Sequence, residues 1–329
     1  MFLLKTMTLK DQIKSLLKYV ILAPSGYNSQ PWKFKLGEDS LEILPDYSRA
    51  RLKTDPDYRE FYMSLGAAAF NLEVAAKHFG IFYQKSYLID EKKQNYSIIF
   101  SFLPNKVPLI DSPLFSAIST RHTNRFPYLN QKISKFLIQE LRSLPHPNTI
   151  DLHIITRPGN ITALAKLIDH SFLLWSRQQA LVEELEGWLR DDLESSPDGL
   201  PTGVINLYKL AINLKYFLHP KDPQVNSTLL KSQDLAKNSS ILLVISTKKD
   251  SVLDYFQAGE FFELIALTLA SKNYATDFFN YPLILKKTRQ ELSHLVESSN
   301  FPQLLFRLGK PSIQTPRTSR RPLHEMLIT

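Results

Sequence analysis

Residues 255–272 of this 329-residue chain are apolar nearly all round, and that stretch constrains the fold more than any other. A helix without a polar face has to be covered on every side, so it belongs at the centre of the molecule. A second helical run at 59–80 carries Phe61, Leu65, Ala68, Leu72, Ala75 and Phe79 on one stripe. Gly66 and Ala67–Ala69 leave that run thin, which suits close packing on another helix. The two runs can be superposed. Leu65-Gly66, a helix and Lys77-His78-Phe79-Gly80-Ile81-Phe82 lie on Ala258-Gly259, a helix and Ala270-Ser271-Lys272-Asn273-Tyr274-Ala275, so that Gly66 falls on Gly259, 193 residues later. The helix–loop–strand pattern of 9–36 likewise has a counterpart at 133–155. Two related α+β halves in one chain account for both repeats most simply.

The remaining patterns fit that frame. Residues 8–22 predict an amphipathic helix, with Leu9, Ile13, Leu16, Leu17, Val20 and Ile21 at helical spacing and Thr8 with Asp11 as a capping box. Ala23-Pro24-Ser25-Gly26 stops it. Strands are expected at 33–36, 41–44, 82–89 and 96–103. Helices follow at 113–119, 131–143 and 161–193, with strands at 151–156, 241–246 and 304–308. Ile241–Ser246 is a continuous apolar run, as a fully buried strand requires. The proline-bearing stretch 103–113 reads as a linker. This divides the chain into a first half at 1–103, a linker at 104–112 and a second half at 113–329. The second half contains an irregular, lid-like insertion at about 183–225 and a basic C-terminal tail.

Composition narrows the chemistry. The chain has no cysteine, so a disulfide, a thiolate nucleophile and a cysteine-held metal are excluded. Its eight histidines never fall in a ligand spacing such as H-E-x-x-H, so no metal site is expected. Glycine is scarce: 10 residues, where average usage of roughly 7% would give about 23. No two glycines stand two or five apart, which excludes both G-x-G-x-x-G and G-x-x-x-x-G-K. A phosphorylated cofactor would therefore have to be held by side-chain cations. The formal charge of +8 is spread along the sequence, a weak signal for nucleic acid or a membrane. No apolar run is long enough to span a bilayer and the start lacks a signal-peptide pattern, so a soluble cytoplasmic protein is expected.

Three short motifs could bind such a cofactor. Ala23-Pro24-Ser25-Gly26-Tyr27-Asn28-Ser29-Gln30-Pro31-Trp32 is dense in hydroxyl and amide groups between two prolines. Its turns could aim backbone N–H groups and Asn28 at a flat, heteroatom-rich ligand, or it could be a plain helix-exit loop. Arg121-His122-Thr123-Asn124-Arg125 can converge two guanidinium forks and a hydroxyl on one oxyanion, or form a solvated basic turn. Arg317-Thr318-Ser319-Arg320-Arg321-Pro322 is a further source of cations, or a disordered end.

Taken together, in this order and at these separations, the motifs resemble the FMN-dependent nitroreductase superfamily, and in particular its fused single-chain, Acg-like branch. Leu22–Phe34, with A-P-S-x-x-N-x-Q-P-W, is similar to the superfamily's most recognisable loop. Arg121-His122-Thr123-Asn124-Arg125 is similar to its R-x-S-x-R phosphate clamp, with Thr123 for Ser. Arg59–Gly66, Gln257-Ala258-Gly259-Glu260 and Leu304–Arg321 also match the fused branch.

The resemblance implies a pseudo-dimer of two nitroreductase-like halves, with mostly antiparallel central sheets flanked by helices. The first half carries the loop but no clamp. The second carries the clamp, and at the loop position has Ser143-Leu144-Pro145-His146-Pro147-Asn148 without Gln-Pro-Trp. One competent FMN site and one decayed site follow. Arg121, Thr123 and Arg125 are implied to hold the phosphate, with His122 alongside and Arg321, then Arg320, adding charge from the tail. Pro24, Ser25, Gly26 and Asn28 are implied to approach the flavin. The resemblance leaves no catalytic side chain to assign, because flavin N5 carries the chemistry. NADPH or NADH would donate electrons to a nitroaromatic or quinone-like small molecule, and the chain would act as a monomer without nucleic acid or membrane. Thr276–Asn280 departs from the family pattern where a backbone N–H meets flavin N5. Trp188, within the lid-like insertion, reads as core. A lid closed over the flavin would instead make the protein an FMN store.

Overall fold

The computed structural model describes residues 7–106, 111–191, 196–201, 241–315 and 317–328. Helix α1 (Leu9–Val20) starts where Thr8 Oγ1 accepts from Asp11 N at 3.1 Å, and it buries Ile13, Leu16, Leu17 and Val20. Strands β1 (Trp32–Leu36) and β2 (Ser40–Pro45), helix α2 (Arg59–His78) and strands β3 (Ile81–Asp90) and β4 (Asn95–Lys106) complete the first half. The second half has α3 (Pro113–Ile118), α4 (Lys135–Ser143), β5 (Ile150–Ile155), α5 (Pro158–Ser176), α6 (Gln179–Gly187) and the short pair β6 (Leu189–Arg190) and β7 (Leu200–Pro201). It continues with β8 (Ile241–Thr247), α7 (Val252–Ala270), β9 (Ala275–Phe278), α8 (Tyr281–Ile284), α9 (Lys286–Leu295) and β10 (Phe301–Gly309). A last strand, β11 (Leu327–Ile328), ends the described chain.

The halves share one topology. A helix leads into two antiparallel strands, a long helix and two more strands, with insertions in the second copy. The first sheet contains β1-β2-β4-β3 and the second is β5-β8-β10-β9, and within these every neighbouring pair is antiparallel. The long helices α2 and α7 pack on each other at the centre through their glycines. A Cβ at Gly66 would sit 1.9 Å from the Phe256 carbonyl oxygen, and one at Gly259 would sit 1.9 Å from that of Met63. Each contact is the other's mirror under the 193-residue offset, which also aligns Gly80 and Asn273, both left-handed just past the helix ends (φ 67° and 59°).

Three features differ from the sequence expectation. The helix expected at 161–193 is two helices, because Gln178 is extended (φ −99°, ψ 99°). The break folds Leu181, Val182 and Leu185 of α6 back onto Phe172 and Trp175 of α5, burying both apolar faces. The C-terminal tail, expected with the second half, crosses over: β11 pairs in parallel with β1, Phe34 opposite Leu327, and Met326 is fully buried. Helices α8 and α9, between β9 and β10, had no counterpart in the expectation. Of the 104–112 linker, residues 107–110 lie outside the described residues, as do 192–195 and 202–225 of the lid-like insertion.

Candidate functional site

The motif at 23–32 folds into a strained turn. Tyr27, Asn28 and Gln30 all adopt the left-handed region (φ 55°, 55° and 50°), a conformation that costs non-glycine residues about 1 kcal/mol or more each. Neighbours hold it there. Ser25 Oγ accepts from Gln30 N (2.9 Å), Asn28 Nδ2 donates to the Ser319 carbonyl (3.1 Å), and Gln30 Oε1 accepts from Arg321 N (2.8 Å). The turn is therefore over-determined by the tail that crosses from the other half.

The basic motif follows α3 and is pinned to the edge of the second sheet. Thr123 forms a bridge with Thr276, and Asn124 N donates to the Thr276 carbonyl (3.0 Å). The fully buried Asn124 also donates to the Ile313 carbonyl (2.8 Å) and accepts from Phe126 N (3.0 Å). Beneath it Arg307 pairs with Asp277 (3.0 Å) and stacks on Tyr128. Asn124 was not singled out in the sequence, where an Asn in a polar pentapeptide carries no sign of burial.

One cavity of about 270 Å³ lies between the halves and collects the three motifs. Pro24, Ser25, Gly26 and Asn28 line it from the first half, with Arg121, His122, Thr123 and Arg125 from the second. Arg317, Thr318 and Arg320 line it from the tail. Arg321 is not on its wall. Its side chain turns toward Asp46 (3.7 Å) and Glu325 (3.4 Å), which draw the guanidinium to the outer face of the turn, and the cation that comes inward beside Arg320 is Arg317. Asn28 lines the cavity, but its amide is committed to the tail, donating to Ser319 and accepting from Arg320 Nη1 (3.2 Å).

The cavity wall combines charged and apolar side chains. Arg121 is 7% exposed; its Nη2 donates to the Leu22 carbonyl (3.3 Å), while Nε and Nη1 have no hydrogen-bond acceptor. Arg320 donates to the carbonyls of Ile21 (2.8 Å) and Leu22 (3.1 Å), closing the exit of α1. Burial, and then the nearby Arg121 charge, pull Arg320 down to about 9. His122 is likewise held below the ordinary imidazole value by burial and by Arg121 and Arg317, although its Nδ1 contact with the Thr120 carbonyl opposes this. Met63, Ala67, Phe262, Phe278 and Ile284 form the apolar part of the wall. Arg51, 4.5 Å from the Tyr27 ring centroid and paired with Glu60 (2.6 Å), also lines the cavity. Asn280 Nδ2 donates to the same Glu60 (2.8 Å).

Part of the second half reaches over the cavity. Glu184 accepts from Lys53 N and Thr54 N, both at 2.8 Å, and Gln30 Nε2 donates to the Pro197 carbonyl (2.9 Å). Asp198 joins Arg49 to Arg190 (3.0 Å), and Leu185 and Leu200 complete the wall. Trp188 is not core: it is half-buried, with the Arg49 and Arg190 guanidiniums 5.3 and 5.9 Å from its ring. Among the described residues no cluster of His, Asp and Glu could hold a metal ion, and no helix is long and apolar enough to cross a membrane.

No family model matches the chain. Full-length relatives do. "Putative NAD(P)H nitroreductase Rv3131" of Mycobacterium tuberculosis is 23% identical over 331 residues, spanning 96% of this chain and 91% of that protein. "Putative NAD(P)H nitroreductase acg" of the same organism is 25% identical over 328 residues, spanning 98% and 96%. Over nearly its whole length the chain is thus similar to proteins named as nitroreductases. Its two halves of shared topology lie in one chain, and these relatives are matched nearly end to end. A solved nitroreductase with bound FMN from Desulfitobacterium hafniense DCB-2 superposes on 67% of this chain and 99% of its own at a TM-score of 0.40 and 12% identity.

Proposed function

We propose that the chain is an FMN-binding, NAD(P)H-dependent oxidoreductase of the nitroreductase type, reducing nitroaromatic or quinone-like small molecules. The observation that carries this reading is the convergence of the 24–28 turn, the 121–125 clamp and the tail on one cavity, lined by both arginines and apolar side chains. The residues fit the cofactor: the buried Nη1 of Arg121 has no hydrogen-bond acceptor, as expected of a clamp built for a phosphate. Arg121, Thr123, Arg125 and Arg317 would hold the phosphate, with His122 alongside and Arg320 adding charge while it fixes the turn. Pro24–Asn28, Met63, Phe262 and Phe278 would flank the ring. Bound FMN supplies hydride transfer through its N5 atom. The protein's part is to orient the ring, exclude water with its apolar wall residues and balance the phosphate charge. Acting as a monomer, the chain would bind one FMN.

The full-length relatives named as NAD(P)H nitroreductases support the reading of donor and reaction. A second reading, an FMN-sequestering protein with little reductase activity, draws support from the clasp of Glu184, Pro197 and Asp198 over the cavity. Stopped-flow absorbance separates the two. FMN-loaded protein mixed with NADPH or NADH should bleach within seconds if it is a reductase. No bleaching over minutes with either nucleotide would leave the sequestering reading.

A further inference from the structure

Glu263 is a carboxylate in the middle of the apolar helix α7, with no solvent exposure at all. Its Oε1 lies 3.4 Å from Arg121 Nε, while its Oε2 has no hydrogen-bond partner. Asn71 on α2, oriented to satisfy both neighbours, donates to Oε1 (3.1 Å) and accepts from Ala23 N (3.2 Å), which ties the carboxylate to the exit of α1. Arg121 faces Glu263 from the clamp and Arg320 from the tail; Asn71, which is neutral, faces it from α2. Among the described residues Glu263 alone forms an ion pair with Arg121.

We propose that Glu263 is the internal counter-anion of the phosphate clamp: ionised, it holds Arg121 in place while the cavity lacks a phosphate, and it takes up a proton from solvent when a phosphate monoester binds. This rests on the FMN reading above. Two buried guanidiniums repel each other and need an anion beside them. A bound phosphate monoester brings about two negative charges to the same cations. The carboxylate is then one anion too many, and its Oε2 has no donor to stabilise a charge. Burial, only partly offset by Arg121 and Arg320, already raises Glu263 to about 7, so a modest further push suffices. Glu263 is thus a positioning residue acting through Arg121, and it sets a pH-dependence on cofactor affinity.

Calorimetric titration of the apoprotein with FMN at about pH 8, in two buffers of different ionisation enthalpy, counts the protons. The phosphate is already a dianion there and cannot mask uptake by releasing its own proton. The expected result is uptake approaching one proton per FMN, with Kd rising by up to about tenfold per pH unit above pH 7. Glu263→Gln keeps the acceptor for Arg121 and removes the charge. It should bind FMN several-fold more tightly at about pH 8 and without proton uptake. His122→Asn should retain the uptake. Binding of FMN by the unaltered protein without uptake overturns the inference alone, as does uptake that survives in Glu263→Gln or vanishes in His122→Asn. Should Glu263→Gln fail to fold, the unaltered protein and His122→Asn still decide. Failure of FMN to bind at any pH overturns the functional reading and this inference with it.

Discussion

The two ends of the central helix pair are related by the repeat, yet among the described residues they are filled differently, and the cavity described above lies at one of them. On the open side α2 presents Met63, Ser64 and Ala67. The equivalent positions on α7, one repeat later, are Phe256, Gln257 and Glu260. Phe256 is fully buried with its ring 5.6 Å from Tyr62, and Gln257 Oε1 accepts from Thr149. Glu260 meets Lys85 at 2.8 Å and Tyr87 at 2.9 Å, and Lys85 also meets Glu73 at 2.5 Å. At the position of the 24–28 turn, His146 packs against Phe261. Gln257 and Glu260, larger and polar, thus stand where Ser64 and Ala67 leave space across the molecule. Symmetric packing can survive the loss of a symmetric site, because helix contact depends on the glycines and ligand space depends on their neighbours.

The largest expected effect is on the open side. Arg121→Ala with Arg125→Ala removes both guanidiniums of the clamp, and charge-assisted contacts contribute about 1.5–3 kcal/mol each. FMN affinity measured by fluorescence quenching should fall by about a hundredfold or more. Unchanged affinity would mean that the open and filled sides do not differ in the way the repeat suggests.

On the filled side the expected loss is in stability. Lys85→Met leaves Glu73 and Glu260 facing each other in a partly buried site, which should cost about 3 kcal/mol in urea unfolding while FMN affinity stays as it was. Burial is the main reason that Glu260 is already raised to about 7, with Glu73 adding repulsion and Lys85 opposing. A carboxyl raised in the folded state binds more protons there than in the unfolded chain at pH values between its unfolded and folded pKa. Stability therefore improves as pH falls through that window. The deficit of Lys85→Met should shrink between about pH 8 and about pH 5. A deficit independent of pH would assign the loss to packing alone.

The shared packing gives a smaller effect that should be equal in the two halves. Gly66→Ala and Gly259→Ala each drive a methyl into the opposing carbonyl, an overpacking cost of about 1–3 kcal/mol. Thermal unfolding of the two variants should agree closely. A wide split between them would show that the helix pair is less symmetric than the reciprocal contacts indicate.

What could be read from the sequence, and what could not, follows the same division. The core strands and the helices α1, α2 and α7 were legible because burial imposes a period, and Ile241–Ser246 is indeed buried at every residue. The clamp and turn stood out because prolines, arginines and amides cluster there. The two-residue strand β11 carries no period of its own, so the crossing of the tail, and with it the outward turn of Arg321, had no local signal. Arg51 lies in an unremarkable polar segment and gains its position only from Tyr27 and Glu60. Glu260 and Glu263 did leave a signal: two carboxylates inside an otherwise apolar helix, each of which has to find a partner when buried.

The smallest effect concerns the clasp over the open side, which has no counterpart on the filled one among the described residues. Asp198 bridges Arg49 and Arg190, and these side chains are 16–27% exposed. Ion pairs this close to solvent contribute about 0.2–1 kcal/mol. Asp198→Asn should therefore speed FMN dissociation only about two- to fivefold, read by dilution and fluorescence recovery. Burial works to raise the Asp198 carboxyl, but Arg49 and Arg190 outweigh it and hold the group below the ordinary carboxylate range. A carboxyl lowered in this way keeps its contribution at all pH values above its unfolded pKa and loses it only as pH falls into the acidic range. The clasp should accordingly be indifferent to pH between about 5 and 8.5, and the ratio of dissociation rates between Asp198→Asn and the unaltered protein should stay constant across that span. A ratio that drifts near neutrality would move the pH-sensitive element from Glu263, beneath the clamp, to the clasp above it.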